Sequence, residues 1–147
     1  MPRYQPKLDA VLRQRKRREE EVQEEFIGLK HDLDTAQDQL HRLHRELESA
    51  LKDLAEQQVK GIAPGELDLY YRLIKHQHDR LEERRKALQH LADRCEKKRE
   101  DLLEATREKK VVEKIEEKRK DLYLKELEKK ERNLLDELAG QPKRESP

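Results

Sequence analysis

Residues 8–54 read LDAVLRQRKRREEEVQEEFIGLKHDLDTAQDQLHRLHRELESALKDL. Taken in steps of four and three, the stretch gives Leu8, Leu12, Arg15, Glu19, Val22, Phe26, Leu29, Leu33, Ala36, Leu40, Leu43, Leu47, Ala50 and Leu54. From Val22 onward every one of these is apolar. They form two series spaced by seven, the a and d seam of a coiled coil. A seam this long requires another helix along its whole length.

The partner lies in the same chain. Leu67, Ile74, Leu81, Leu88, Cys95 and Leu102 form one series of seven; Tyr70, Gln77, Arg84, Leu91, Lys98, Ala105 and Val112 form the other. Between the seams sits Lys60-Gly61-Ile62-Ala63-Pro64-Gly65. Gly61 suits the position after a helix end, and Pro64 suits a first helical turn. A short link between two long helices makes them antiparallel neighbours. If facing residues have numbers totalling 124, the layers are Val22–Leu102, Leu29–Cys95, Leu33–Leu91, Ala36–Leu88, Leu43–Leu81, Ala50–Ile74 and Leu54–Tyr70. A slip of one heptad satisfies the same pattern.

Composition agrees with a narrow seam rather than a closed core. Of 147 residues, 47% are charged, 33% hydrophobic and 3% aromatic, too little apolar material for closed layers. Regular heptads argue against disorder, which such composition would otherwise allow. The net charge of +1 creates no global field that calls for nucleic acid or a membrane. The single Cys95 excludes an internal disulfide and fits a reducing compartment. No signal peptide or long apolar run is present, so a soluble chain without direct membrane insertion is expected.

The expected fold is all-α: one antiparallel two-helix coiled-coil hairpin over 1–147, monomeric, its second helix the longer. Helices are expected over 6–60, opening at Pro6, and over 66–139. A tip loop joins them at 61–65 and a disordered tail covers 140–147. Gly140 and Pro142 supply the stop. Gly28, beside the seam, reads as a soft point or a close backbone approach. The block Arg13, Arg15, Lys16, Arg17 and Arg18 is answered by Glu19, Glu20, Glu21, Glu24 and Glu25. It reads as a compensated helix face or a protein-docking patch, since no aromatic residues interleave it as nucleic-acid binding would need. His31, His41, His44, His76, His78 and His90 lack the carboxylate–His spacing of a metal site, so no metal or cofactor is expected. Pairs spaced by four, such as Glu82/Lys86, Asp93/Lys97, Glu116/Lys120, Asp121/Lys125, Glu126/Lys130 and Glu128/Arg132, are expected to support the second helix.

Two features exceed a plain hairpin. The seam deteriorates toward the termini, where the register sets Arg15 against Lys109 and Glu19 against Ala105, so that end should be weakly held. Beyond about Leu124 the second helix has no partner, yet Leu124, Leu127, Leu134, Leu135 and Leu138 continue an apolar stripe. Such a stripe reads as a docking surface or a self-association face. No phosphate loop, nucleophile with a base, or enclosed pocket appears, so the chain is not expected to be an enzyme.

Three segments in order resemble the flagellar type III export protein FliJ family, over nearly the whole chain. The opening is Lys7-Leu8-Asp9-Ala10-Val11-Leu12-Arg13-Gln14-Arg15-Lys16-Arg17-Arg18-Glu19-Glu20-Glu21. The second-helix start is Gly61-Ile62 followed by Leu69-Tyr70-Tyr71-Arg72-Leu73-Ile74. The closing run is Arg107-Glu108-Lys109-Lys110-Val111-Val112-Glu113-Lys114-Ile115, then Tyr123, then Leu134-Leu135-Asp136-Glu137-Leu138-Ala139. The resemblance implies a cytoplasmic component of the flagellar export apparatus, peripheral at the membrane's inner face. It implies a stalk similar to the γ coil of rotary ATPases, with its terminal end in the pore of the export ATPase hexamer, which it helps to assemble and activate. Ring-docking residues would be Arg13, Arg15, Arg17, Arg18, Leu124, Leu127, Leu134, Leu135, Asp136, Glu137 and Leu138. It further implies contact with the FlhA export gate through Gln39, Leu43 and Leu73, and escort of export chaperones. The stalk of a virulence-type secretion system and a structural coiled-coil scaffold are the alternatives.

Overall fold

A computed structural model describes residues 3–5 and 7–140. The chain forms two helices, α1 (Asp9–Lys60) and α2 (Pro64–Leu138), of 52 and 75 residues. It is an all-α antiparallel coiled-coil hairpin with the longer helix second.

The helix ends follow from local chemistry. The Leu12 N–H donates to the Leu8 carbonyl at 2.8 Å, closing the first turn, and Asp9 places a negative charge at the positive end of the helix. Lys7 and Leu8 form a turn rather than helix; Pro6, the expected opening residue, lies outside the described residues. α1 stops at Lys60 because Gly61 takes φ 91°, a left-handed conformation that costs glycine little. The Leu67 N–H donates to the Ala63 carbonyl at 3.0 Å, so Pro64 is already the first helical residue. Its fixed φ and missing N–H suit that place, and the link shortens to Gly61–Ala63. α2 closes with Gly140 at φ 73°, its N–H donating to the Glu137 carbonyl at 3.0 Å. The expected tail from Gln141 onward, including Pro142, lies outside the described residues.

The chain divides into two compact units, Val22–Leu102 and a unit joining Met1–Glu21 to Leu103–Pro147. In Val22–Leu102 the core is a single file of side chains. Leu43, Leu47 and Leu81 form a buried cluster with Leu40 and Ile74 packed against it. Val22 is fully buried, and Ala50, Leu54 and Cys95 are buried as well. The numbers of Leu43 and Leu81 total 124. Arg84 donates to Gln39 at 3.4 Å and Lys98 to Glu25 at 2.6 Å, and both pairs total 123. A heptad slip would move these totals by seven, so the register is the one that sets Leu33 against Leu91. Gln77 falls on the seam, its Oε1 buried without a hydrogen-bond partner among the described residues. A Cβ at Gly28 would meet nothing within 4 Å. The close-approach reading of that glycine is therefore replaced by an open one.

The ion pairs that form along the helices differ from those read off the spacing. Arg72 bonds Asp68 at 3.1 Å, Arg99 bonds Glu96 at 2.9 Å, and Glu82 turns to Arg85 at 3.8 Å rather than to Lys86. Glu116 turns to the first residues of the chain rather than to Lys120. Exposed pairs exchange cheaply, because each gains little and must fix two long side chains.

Candidate functional site

In the unit that joins the chain ends, charged residues occupy seam positions. Arg15 donates to Glu108 at 2.9 Å, and Lys109 donates to Glu19 at 2.9 Å, with side chains 20% and 15% exposed. The hydrogen bond from Lys109, then one from Thr106, holds the Glu19 carboxyl below the usual range; the same bond raises Lys109. Ala105 and Val112 are buried beside them. The sequence predicts a weakly held end here, and within it Arg15 and Glu19 each reach a counter-charge on α2, a kind of pair that adds little when exposed. The Arg15 Nε remains buried without a hydrogen-bond partner among the described residues.

The residues before α1 extend this pairing. Glu116 accepts two bonds from them: the Tyr4 hydroxyl donates to Oε2 at 2.7 Å and the Leu8 N–H to Oε1 at 3.1 Å. A carboxylate from one helix thus satisfies a free amide at the start of the other. The Tyr4 ring lies 5.5 Å from that of Tyr123, tilted by 50°. The sequence carries no expectation of this contact, since the first expected helix opens only at Pro6. No local pattern signals it, because Tyr4 and Glu116 stand 112 residues apart.

Beyond Tyr123, α2 carries its apolar stripe without burying most of it. Leu127 is half-buried, while Leu124, Leu134, Leu135 and Leu138 are exposed, the last by 75%. Asp136 and Glu137 are exposed between them. Arg13, Arg17 and Arg18 face solvent on α1, Arg13 bonding Asp9 at 3.4 Å; Arg15 is engaged by Glu108. The described residues of this unit therefore expose both leucines and arginines.

The family model for the flagellar FliJ protein matches residues 4–145. The chain belongs to the FliJ family. That membership makes it a component of flagellar protein export. No curated protein and no solved structure matches it. In this FliJ-family chain the residues expected at the export gate divide. Gln39 and Leu73 are exposed, whereas Leu43 is 8% exposed within the core cluster. Leu73 lines an open groove of about 550 Å³ with Asp53, Gln57, Glu66, Leu69 and Tyr70. Among the described residues no group of His, Cys, Asp or Glu is placed to hold a metal, and no helix is long and apolar enough to cross a membrane.

Proposed function

We propose that this chain is the coiled-coil stalk of the flagellar export ATPase. The unit that carries both chain ends inserts into the hexamer's pore, promotes ring assembly and raises hydrolysis, with no chemistry supplied by the stalk. The observation that carries this reading is the run of exposed leucines, Leu134, Leu135 and Leu138, at the end of α2. Exposed apolar side chains on a helix that has outrun its partner are stabilised by being covered. Arg13, Arg17 and Arg18 add cations to the same unit. Gln39 and Leu73 serve contact with the FlhA gate, with Leu43 acting through the packing it provides. Export chaperones are escorted by the same chain, which works as a monomer at the cytoplasmic face of the membrane.

The test is stimulation of the purified ATPase. Leu134→Ser with Leu138→Ser, or Arg13, Arg17 and Arg18 reversed to Glu, should abolish stimulation while helicity is retained. If both variants stimulate like the parent while Gln39→Ala with Leu73→Ser, at exposed mid-rod positions, does not, end-on insertion is wrong and a side-on clamp replaces it.

A further inference from the structure

Between Val111 and Arg132, one face of α2 carries cations and apolar residues without an acidic one. Stepping by four and three from Val111 gives a row that also contains Ile115 and Leu122, exposed by 57%, 43% and 62% respectively. The remaining row positions are Lys118, Lys125, Lys129 and Arg132, all exposed. No acidic residue falls on the row between Glu108 and Asp136, which stand one step beyond its two ends, although Glu113, Glu116, Asp121, Glu126 and Glu128 are interspersed in sequence. The row is separate from the seam, which Val112, Glu116 and Tyr123 mark. None of its cations enters the ion pairs of this unit, which join Arg13 to Asp9, Arg15 to Glu108 and Lys109 to Glu19. A solvated face would mix signs, as the rest of α2 does.

We infer that this row is a binding surface for an anionic lipid bilayer, engaged along the headgroups without insertion. Charge complementarity chooses the occupant. A partner helix would need apolar seam positions throughout, yet past Leu122 the row offers only cations. Nucleic acid would find no aromatic ring for its bases on the row. A planar anionic surface asks only for one-sided cations. Lysine stems can lie against the interface with their ammonium groups among the headgroups, and Val111, Ile115 and Leu122 rest at the boundary. The row lies on the unit proposed to enter the ATPase pore, so bilayer binding and pore insertion are alternative states of that unit, and vesicle binding without the ATPase tests the first alone.

Flotation of the full chain with phosphatidylcholine vesicles, with and without phosphatidylglycerol, tests it. Binding should occur only on the anionic vesicles. It should be lost when salt rises from about 0.1 M to about 1 M, where the Debye length falls from about 10 Å to about 3 Å. Lys118→Glu with Lys125→Glu and Lys129→Glu should weaken partitioning at least tenfold, and the milder Gln replacements should weaken it in the same direction, with circular dichroism unchanged. Lys30→Glu with Lys52→Glu and Lys75→Glu makes the same change in net charge within Val22–Leu102 and should keep most of the binding. Equal loss in the two charge-reversal sets would overturn the assignment. So would a parent chain that ignores anionic vesicles but binds an acidic helix or nucleic acid through these lysines.

Discussion

Tyr4 donates a 2.7 Å hydrogen bond to Glu116, across 112 residues of sequence. The bond favours the protonated phenol, and its acceptance by Glu116 is the main cause that raises the Tyr4 pKa above its ordinary value. A group raised in this way contributes fully below its ordinary pKa of about 10 and loses its contribution as pH climbs through the folded value. Cleavage between Tyr4 and Leu8 by an alkali-stable subtilisin should therefore accelerate on the alkaline side. Tyr4→Phe keeps the ring against Tyr123 but removes the donor, so cleavage should already be faster at neutral pH and the alkaline step should vanish. An unchanged step in the variant would assign it to another group.

Glu19 and Lys109 behave as a matched pair. Glu19 is lowered, so its contribution is present above the ordinary carboxyl pKa and fades as pH falls through the folded value. Lys109 is raised, so its contribution is present below its ordinary pKa and fades as pH climbs through the folded one. The pair's contribution to stability is thus complete between pH 4.5 and pH 10.5, the two ordinary values. Glu19→Gln should flatten the acid limb of the melting temperature against pH, and Lys109→Met the alkaline limb. A parent acid limb that survives in Glu19→Gln would assign that limb elsewhere.

Leu43 and Leu81 share one layer of the core. Replacing either with Ala should cost about 2–5 kcal/mol if the layer cannot collapse. The double mutant should show coupling of at least about 0.5 kcal/mol in urea unfolding. Leu43→Ala combined with Cys95→Ala, two well-separated layers, should be additive. Equal coupling in the two cycles would contradict the register.

Gly28 is exposed inside α1 with open space where a side chain would stand. Gly28→Ala should therefore stabilise the chain by up to about 1 kcal/mol, through helix propensity alone. The unfolding midpoint in urea reads this directly, and a fall in midpoint would mean that the position has a close neighbour.

Much of the hairpin was legible because period and burial coincide. Positions stepped from Leu8 to Leu54 are all buried or half-buried, and a seven-residue repeat leaves few other folds available. Gly61 and Pro64 marked the turn because their backbone restrictions act locally. What escaped depended on side-chain reach. Arg15 and Glu19 looked like seam defects, but each has enough length to find a charge on α2. Glu116 could have paired with Lys120 by spacing, yet it bonds Tyr4 and Leu8, a choice no local pattern encodes. The leucine stripe and the basic block were legible as docking surfaces from the residues alone; their partners, and the gate residues Gln39, Leu43 and Leu73, were nameable only through family resemblance. Among them Leu43 is buried in the core cluster while Gln39 and Leu73 are exposed.

Cys95 is the chain's single cysteine, and it is 7% exposed on the seam. A thiol reagent can reach its sulfur only when that layer parts, so the labelling rate measures how often α1 and α2 separate there. The unmodified protein thus carries its own opening gauge in mid-seam. Slower labelling on addition of a partner would report clamping of that layer, and faster labelling would report that the partner pries the helices apart.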